Sequence, residues 1–397
     1  MNPSNSGFFF SDPLREVPLP PPGATVAVAL SGGVDSSLAA VLMAERGCRI
    51  IGVTMSLHDP ELVFPEGGGS GCYGPLKKEN EETCHRLCAG LGGEYHVIDL
   101  WVPYKEAVMD YYRNEYLRGK TPNPCLRCNP LIKFGLLPEA LRDMGKKFDF
   151  FVTGHYARLL SPGGEPERGI YLAPGKDASK DQSYFLHRLG GEQLRMARFP
   201  LGSMTKSEVR KLAAERGLAS AEKKDSQDFI AKEDFDIVFS KTPVPQGDMV
   251  HSGGRILGKH RGLNRYTIGQ RRGVGVSIGP DPLYVVSLDA ENNRVVLGPE
   301  KELFSASLEA SDTVWAPGFG TEPFRAFIKI RLAAAPALGL VTPREGNRVS
   351  VEFDTPQRAV APGQSAVFYV PLSGETAGPI AGRDLGFCCI AGGGIIE

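Results

Sequence analysis

"AVALSGGVDSS", residues 27–37, runs an apolar β-type stretch straight into Ser31-Gly32-Gly33-Val34-Asp35-Ser36 and then into helical spacing. The two glycines let backbone approach an anion, while Ser31, Ser36, Ser37 and the first N–H groups of the helix supply donors. The stretch lacks the G-x-x-x-x-G-K-[ST] spacing that grips a β,γ-phosphate for transfer. It also lacks the G-x-G-x-x-G spacing of dinucleotide sites. It reads as an anion cradle of another kind, set between a strand and a helix.

Outward from this loop, β-type and helical stretches alternate. "ATVAVAL" (24–30), "RIIGVTMS" (49–56), "EYHVIDL" (94–100) and "FDFFVTGHY" (148–156) read as strands. "SSLAAVLMAERG" (36–47), "KKENEETCHRLCAGLG" (77–92) and stretches near 104–118 and 131–144 read as helices, with "TPNPCLRCNP" (121–130) as a cysteine loop. This alternation predicts a parallel sheet covered on both faces. From about 205 the pattern changes. "MTKSEVRKLAAERG" (204–217) predicts one amphipathic helix, with Thr205 as N-cap and Glu208 completing a capping box. A basic, Gly-rich region follows to about 275. From "PLYVVSLDAENNRVVLG" (282–298) onward, short alternating strands with hairpin turns predict a small antiparallel barrel. The expected division is a flexible N-terminal arm over 1–23, an α/β nucleotide domain over 24–204, a central domain over 205–278 and a barrel over 279–397.

The totals set bounds. At 397 residues, two or three domains are expected. With 42% apolar and 23% charged residues the composition is that of an ordinary globular protein, and nothing approaches the roughly 20 apolar residues of a membrane helix. The first 22 residues, "MNPSNSGFFFSDPLREVPLPPP", lack a basic segment followed by a long apolar one, so no signal peptide and a cytoplasmic location are expected. The eight cysteines are then reduced thiols, paired only for catalysis or metal. The net charge of −1 argues against a general polyanion binder, but Arg255, Lys259, Arg261, Arg265, Arg271 and Arg272 occur with no acid between them. That run is either a local phosphate-binding patch or a solvated loop face.

The loop resembles the S-G-G-x-D-S signature of ATP-pyrophosphatases, which release pyrophosphate and attach AMP to a substrate oxygen. The resemblance implies an ATP-pyrophosphatase (adenine nucleotide alpha hydrolase-like) fold, with Asp35 suited to Mg²⁺ and Ser31 and Ser36 to pyrophosphate oxygens. Six further motifs narrow it: "TPNPCLRCNPLIKFG" (121–135), "FVTGHYARL" (151–159), "SKDQSYFL" (179–186), "KKDSQDFI" (223–230), "YTIGQRRGVGV" (266–276) and "APGQSAVFY…AGGGIIE" (361–397). In this order they resemble the bacterial tRNA-specific 2-thiouridylase family, from about residue 24 to the C-terminus. That family uses ATP to adenylate the C2 oxygen of the wobble uridine, and a cysteine persulfide then delivers sulfur as AMP leaves. By this resemblance Ala29, Leu30, Ser31, Gly32, Gly33, Val34, Asp35, Ser36, Met55 and Gly154 line the ATP site. Asn123, Pro124 and Cys125 fall at the target base, which must be flipped out to be reached. His155, Lys180, Asp181, Gln182, Arg331, Leu332 and Gln364 fall at tRNA contacts. ATP, Mg²⁺, tRNA and a sulfur donor (a cysteine desulfurase, a sulfur-relay protein or sulfide) are the implied cofactors and partners, with no membrane.

The pattern breaks at the cysteines. Cys128 matches the family's nucleophile, but the second catalytic cysteine, expected within the segment matched by "DSQDFIAKEDF" (225–235), is missing. The family's usual aspartate beside the base is Cys125 here. One reading is a relocated pair, in which Cys125 carries the persulfide or resolves a disulfide with Cys128, since a C-x-x-C pair can bridge its own sulfurs. A second is a [4Fe–4S] cluster held by Cys125, Cys128 and either Cys72 or one of Cys388 and Cys389. Zinc is disfavoured, as no second C-x-x-C or His pair lies at finger spacing. Cys48, Cys84 and Cys88 read as core. Two alternatives to thiolation stay open: a paralogue that adenylates another substrate or takes inorganic sulfide, and a tRNA-binding protein that has lost sulfur transfer.

Overall fold

The computed structural model describes residues 10, 12–62, 64, 73, 77–220, 229–230, 235–276, 281–373 and 384–397. The apolar runs around the loop form a five-stranded, all-parallel sheet of β2 (Thr25–Ala29), β3 (Arg49–Ser56), β4 (Glu94–Asp99), β5 (Phe150–Val152) and β8 (Ala197–Arg198), in the order β4-β3-β2-β5-β8. Val26, Ala27 and Val28 have no exposed surface, which is why this strand is continuously apolar. The helix Val34–Glu45 covers one face through Leu38, Ala39, Ala40 and Met43, and it ends where Gly47 takes a φ of +84°. Expectation and structure agree on the α/β class.

Four expectations differ in detail. The first concerns the N-terminal arm: Leu14–Glu16 is β1, paired antiparallel with Leu160–Pro162 of β6 (Ala157–Pro162), and β7 (Tyr171–Pro174) completes that small sheet. Val17 is buried. The second concerns the C-x-x-C segment. Helix begins at Cys125, not at 131, so both cysteines lie on its first turn. Proline is tolerated at a helix start, and Pro124 sits at the N-cap. Pro130 has no N–H to give the α ladder, and the next stretch, Asn129–Leu136, widens to π geometry before α geometry resumes over Leu137–Asp143.

The third concerns the helix Lys206–Glu215, expected to open a central domain. Thr205 and Glu208 do form its capping box, with Thr205 N–H 2.6 Å from Glu208 Oε2. Its Val209, however, packs with Leu38, Tyr156 and Leu201 of the nucleotide domain, and Arg216 pairs with Glu45 at 2.7 Å. The fourth concerns the barrel. The hairpin of β11 (Tyr284–Asp289) and β12 (Arg294–Gly298) joins β9 (Gly247–His251) and β10 (Ile256–His260) in a separate sheet ordered β10-β9-β12-β11. The closed six-stranded barrel starts only at β13 (Phe304–Trp315). It continues through β14 (Phe324–Lys329), β15 (Ala337–Arg344), β16 (Arg348–Arg358), β17 (Ser365–Pro371) and β18 (Cys388–Ile396). Alternation identifies strands, but it does not say which sheet a hairpin joins.

Candidate active site

The loop residues Ala29–Ser36 leave the carboxyl end of β2, Met55 lies near the end of β3, and Gly154 follows β5 by two residues. The structure thus gathers them at the carboxyl edge of three adjacent strands, where open α/β sheets bind ligands. Gly32 holds a φ of +73°, and a Cβ there would lie 2.7 Å from the Asn80 side chain. Gly154 packs against the helix start: a Cβ would fall 2.8 Å from both the Asp35 carbonyl carbon and the Ser36 nitrogen. Ser36 Oγ accepts from Ser31 N–H at 3.2 Å, and Ser37 Oγ donates to the Gly33 carbonyl at 2.9 Å. These bonds tie the loop to its own helix. No side chain caps that helix, leaving its first N–H groups to an anion.

Asp35 is the charged centre. Its Oδ1 accepts from Tyr156 Oη at 2.8 Å, and Lys206 Nζ lies 2.8 Å from each carboxylate oxygen. Asp35's side chain is 31% exposed and that of Lys206 only 11%, so the carboxylate opens toward solvent while the lysine comes from within. Hard carboxylate oxygens at an anion cradle are the donor type that Mg²⁺ takes, and the arrangement already balances a cation there. The sequence reading missed both Tyr156 and Lys206. The available signal was a lysine in the first turn of a capped helix, where the dipole disfavours it.

A chain of contacts leads from here to the cysteines. The Tyr156 N–H donates to Gln182 Oε1 at 2.9 Å, and the Gln182 N–H donates to the Tyr156 carbonyl at 2.9 Å. Gln182 caps the helix Ser183–Leu186, whose Phe185 carbonyl accepts from Asn129 Nδ2 at 3.0 Å. Asn129 directly follows Cys128. Asn123 Oδ1 accepts the Cys125 N–H at 3.1 Å, fixing the helix start. Both thiols are half-buried and unbridged. His155 lies between Phe134 and Phe199, with Thr153 Oγ1 2.7 Å from its Nδ1. Burial, with the charge of Lys133 nearby, holds its ring neutral far below the usual imidazole range.

The remaining expected tRNA contacts are placed differently. The Asp181 carboxylate accepts from Gly175 N–H at 3.1 Å, Ser183 N–H at 3.0 Å and Ser183 Oγ at 3.0 Å. Burial raises its pKa, against those bonds and the charge of Lys329. Lys180 is half-buried, with its N–H on the Asp177 carbonyl. Arg331 and Leu332 follow β14, and Leu332 is exposed. Gln364 Nε2 donates to the Thr121 carbonyl at 2.7 Å, and Thr121 N–H donates to the Pro362 carbonyl at 2.8 Å. Gly363, at a φ of +90°, lets this barrel turn meet Lys120 and Thr121, just ahead of the cysteine helix. In the basic run, Lys259 pairs with Asp248 and Arg265 with Asp236, while Arg255, Arg261, Arg271 and Arg272 are exposed.

The cluster reading loses one option. Cys388 and Cys389 are fully buried in β18, and burial pushes the Cys388 thiol up to about 12. Among the described residues no three His, Cys, Asp or Glu side chains gather as a metal site. Cys72 and residues 225–228 and 231–234 of the "DSQDFIAKEDF" segment lie outside the described residues. Cys48, Cys84 and Cys88 are buried, and burial pushes Cys88 up to about 12. Among the described residues no helix is long and apolar enough to cross a membrane.

Sheet order, the carboxyl-edge loop and its paired aspartate define a HUP-domain protein of the ATP-pyrophosphatase class. Comparison with known proteins carries this further. Family models described as "tRNA methyl transferase HUP domain", "tRNA methyl transferase PRC-barrel domain" and "Aminomethyltransferase beta-barrel domain" match residues 24–232, 236–299 and 305–376. Among curated relatives, a tRNA-specific 2-thiouridylase MnmA of Endomicrobium trichonymphae is 43% identical, over 87% of this chain and 95% of its own. Its namesake from Geobacter metallireducens is 42% identical, over 87% and 93%, and that from Heliobacterium modesticaldum 42%, over 87% and 89%. The chain belongs to the tRNA-specific 2-thiouridylase family.

Proposed function

We infer that this protein is an ATP-dependent tRNA-uridine 2-sulfurtransferase. The observation that carries this reading is the continuous contact path from Asp35 through Tyr156, Gln182, Phe185 and Asn129 to Cys128. It joins an adenylating loop to a two-thiol helix. The family descriptions speak of methyl transfer and the relatives' names of thiolation. An oxygen-activating loop beside paired soft nucleophiles fits the second.

ATP is the activating co-substrate, held by residues 29–36, Met55 and Gly154; Asp35 would hold Mg²⁺, which would neutralise phosphate charge. The uridine C2 oxygen bonds to the α-phosphorus, pyrophosphate leaves with the electron pair, and the N3 proton passes to water. A persulfide on Cys128, charged by an external sulfur donor, attacks C2 through its terminal sulfur, and AMP leaves with the former C2 oxygen. The Cys125 thiolate then attacks Cys128 Sγ and releases the 2-thiouridine, leaving a Cys125–Cys128 disulfide for an external dithiol to reduce. Residues three apart on a helix are neighbours, as this closure needs. Asn123 and Pro124 border the flipped base, while His155, Lys180, Arg331 and Leu332 face the tRNA. The functional units are 24–232, 236–299 and 305–397, preceded by the N-terminal segment.

Purified protein with ATP, Mg²⁺, a persulfide donor, a dithiol and unmodified tRNA is expected to yield 2-thiouridine by nucleoside mass spectrometry, with one AMP and one pyrophosphate per thiolation. Pyrophosphate without 2-thiouridine would point to another acceptor, and tRNA binding without pyrophosphate to a binder alone. The Gln364 bond makes a finer point. The Gln364→Ala variant removes a hydrogen bond worth about 1 kcal/mol, and a shift of the cysteine helix lowers kcat about five-fold at unchanged KM for tRNA. A raised KM at unchanged kcat would instead make Gln364 a direct RNA contact.

A further inference from the structure

Lys206 is the charged residue whose position the reaction above does not explain. It is the first residue of the helix Lys206–Glu215, where the helix dipole opposes a cation, and its side chain is largely buried. Its backbone is held on both sides: Thr205 caps the helix, and the Lys206 N–H donates to Asp177 Oδ2 at 2.9 Å. From this fixed base its stem passes the Tyr156 ring, with Nζ 5.7 Å from the ring centroid, and reaches both oxygens of Asp35. Its ammonium therefore stands beside the carboxylate of the anion cradle.

We propose that Lys206 is a displaceable counter-ion of Asp35 and, once nucleotide is bound, a ligand of the departing pyrophosphate. The proposal rests on the adenylation reading. A divalent cation at Asp35 competes for the lone pairs that the ammonium uses, and it carries twice the charge. Incoming phosphates offer the released ammonium a new partner close by. A lysine suits this exchange, being a compact charge on a flexible four-carbon stem. In the step, the bond from the substrate oxygen to the α-phosphorus forms as the bond to the bridging oxygen breaks. The electron pair stays on pyrophosphate, whose developing charge Lys206 meets, and the N3 proton passes to water. Tyr156 Oη keeps its hydrogen bond to Asp35 throughout and holds the carboxylate in place.

The test uses the full chain and two variants, Lys206→Gln and Lys206→Arg. Mn²⁺ binding without nucleotide is read by electron paramagnetic resonance, and pyrophosphate release is read with ATP and tRNA. Removing the competing ammonium is expected to tighten Mn²⁺ binding about ten-fold in Lys206→Gln, while Lys206→Arg stays near wild type. Pyrophosphate release falls about 100-fold in Lys206→Gln. Unchanged or weaker Mn²⁺ binding in Lys206→Gln, or equal shifts in both variants, would overturn the counter-ion role. Tighter metal binding with undiminished pyrophosphate release would overturn the leaving-group role. A wild-type protein that releases no pyrophosphate would refute adenylation itself, and the Mn²⁺ measurement would still decide whether Lys206 is the counter-ion.

Discussion

The Cys128→Ser variant is expected to lose thiolation by about 10⁴-fold or more, the scale seen when a covalent nucleophile is removed, while it still releases pyrophosphate. The two activities are expected to separate because the glycine-rich loop and the cysteine helix are distinct pieces. Ser31–Ser36 hang on β2, and Cys128 sits on the first turn of a helix tied back through Asn129 to the Phe185 carbonyl. A serine hydroxyl fits the same space but carries no persulfide, so activation proceeds and transfer does not. Cys125→Ser differs: a charged enzyme forms the mixed disulfide with the tRNA and then stalls. An added small thiol replaces the missing resolving sulfur and restores turnover to this variant, but not to Cys128→Ser. Release of 2-thiouridine by Cys125→Ser in a single turnover without added thiol, as in the wild type, would end the relocated-pair reading. Trapped tRNA is measured by a gel shift that reductant reverses.

The second large effect is at Asp35. Asp35→Ala and Asp35→Asn are both expected to lower pyrophosphate release about 1000-fold, with tRNA binding by filter assay within two-fold of wild type (about 0.4 kcal/mol). The neutral amide of Asn keeps an acceptor for the Tyr156 hydroxyl but cannot hold a divalent cation as a carboxylate does. If Asp35→Asn retained wild-type pyrophosphate release, the carboxylate charge would have no part in nucleotide activation. If both variants lost tRNA binding in proportion, Asp35 would serve the fold rather than the chemistry. About a third of its side chain is exposed, which favours the expected loss of pyrophosphate release over a purely structural role.

Much of this was legible in the linear chain because the deciding features are local. A strand, two glycines, an aspartate and a helix in one run state an anion cradle without any distant partner. The Thr205–Glu208 capping box was equally readable, since its partners lie three residues apart. The C-x-x-C stood out as a candidate reactive pair, and its conformation was misread. The stretch was expected as a loop, yet Pro124 starts a helix and a π-type stretch absorbs Pro130. The hairpin over 284–298 was recognised as strands and assigned to the wrong sheet, because period-two alternation carries no address for the partner.

The sequence by itself determined the class of the nucleotide domain and the family, and it pointed to the groups proposed to react. Each is encoded in short runs whose residues act on the same few atoms. The tertiary structure alone decided which lysine faces Asp35, 171 residues away, and that the barrel turn at 362–364 sets the Thr121 backbone ahead of the cysteine helix. Those pairings arise when helix Lys206–Glu215 packs on Leu38 and when the barrel closes, and both are matters of buried surface shared between distant elements. Such surface is recorded in no local pattern. The loop at 31–36 was readable as a cradle for phosphate, and only the fold made it a cradle with its own counter-ion.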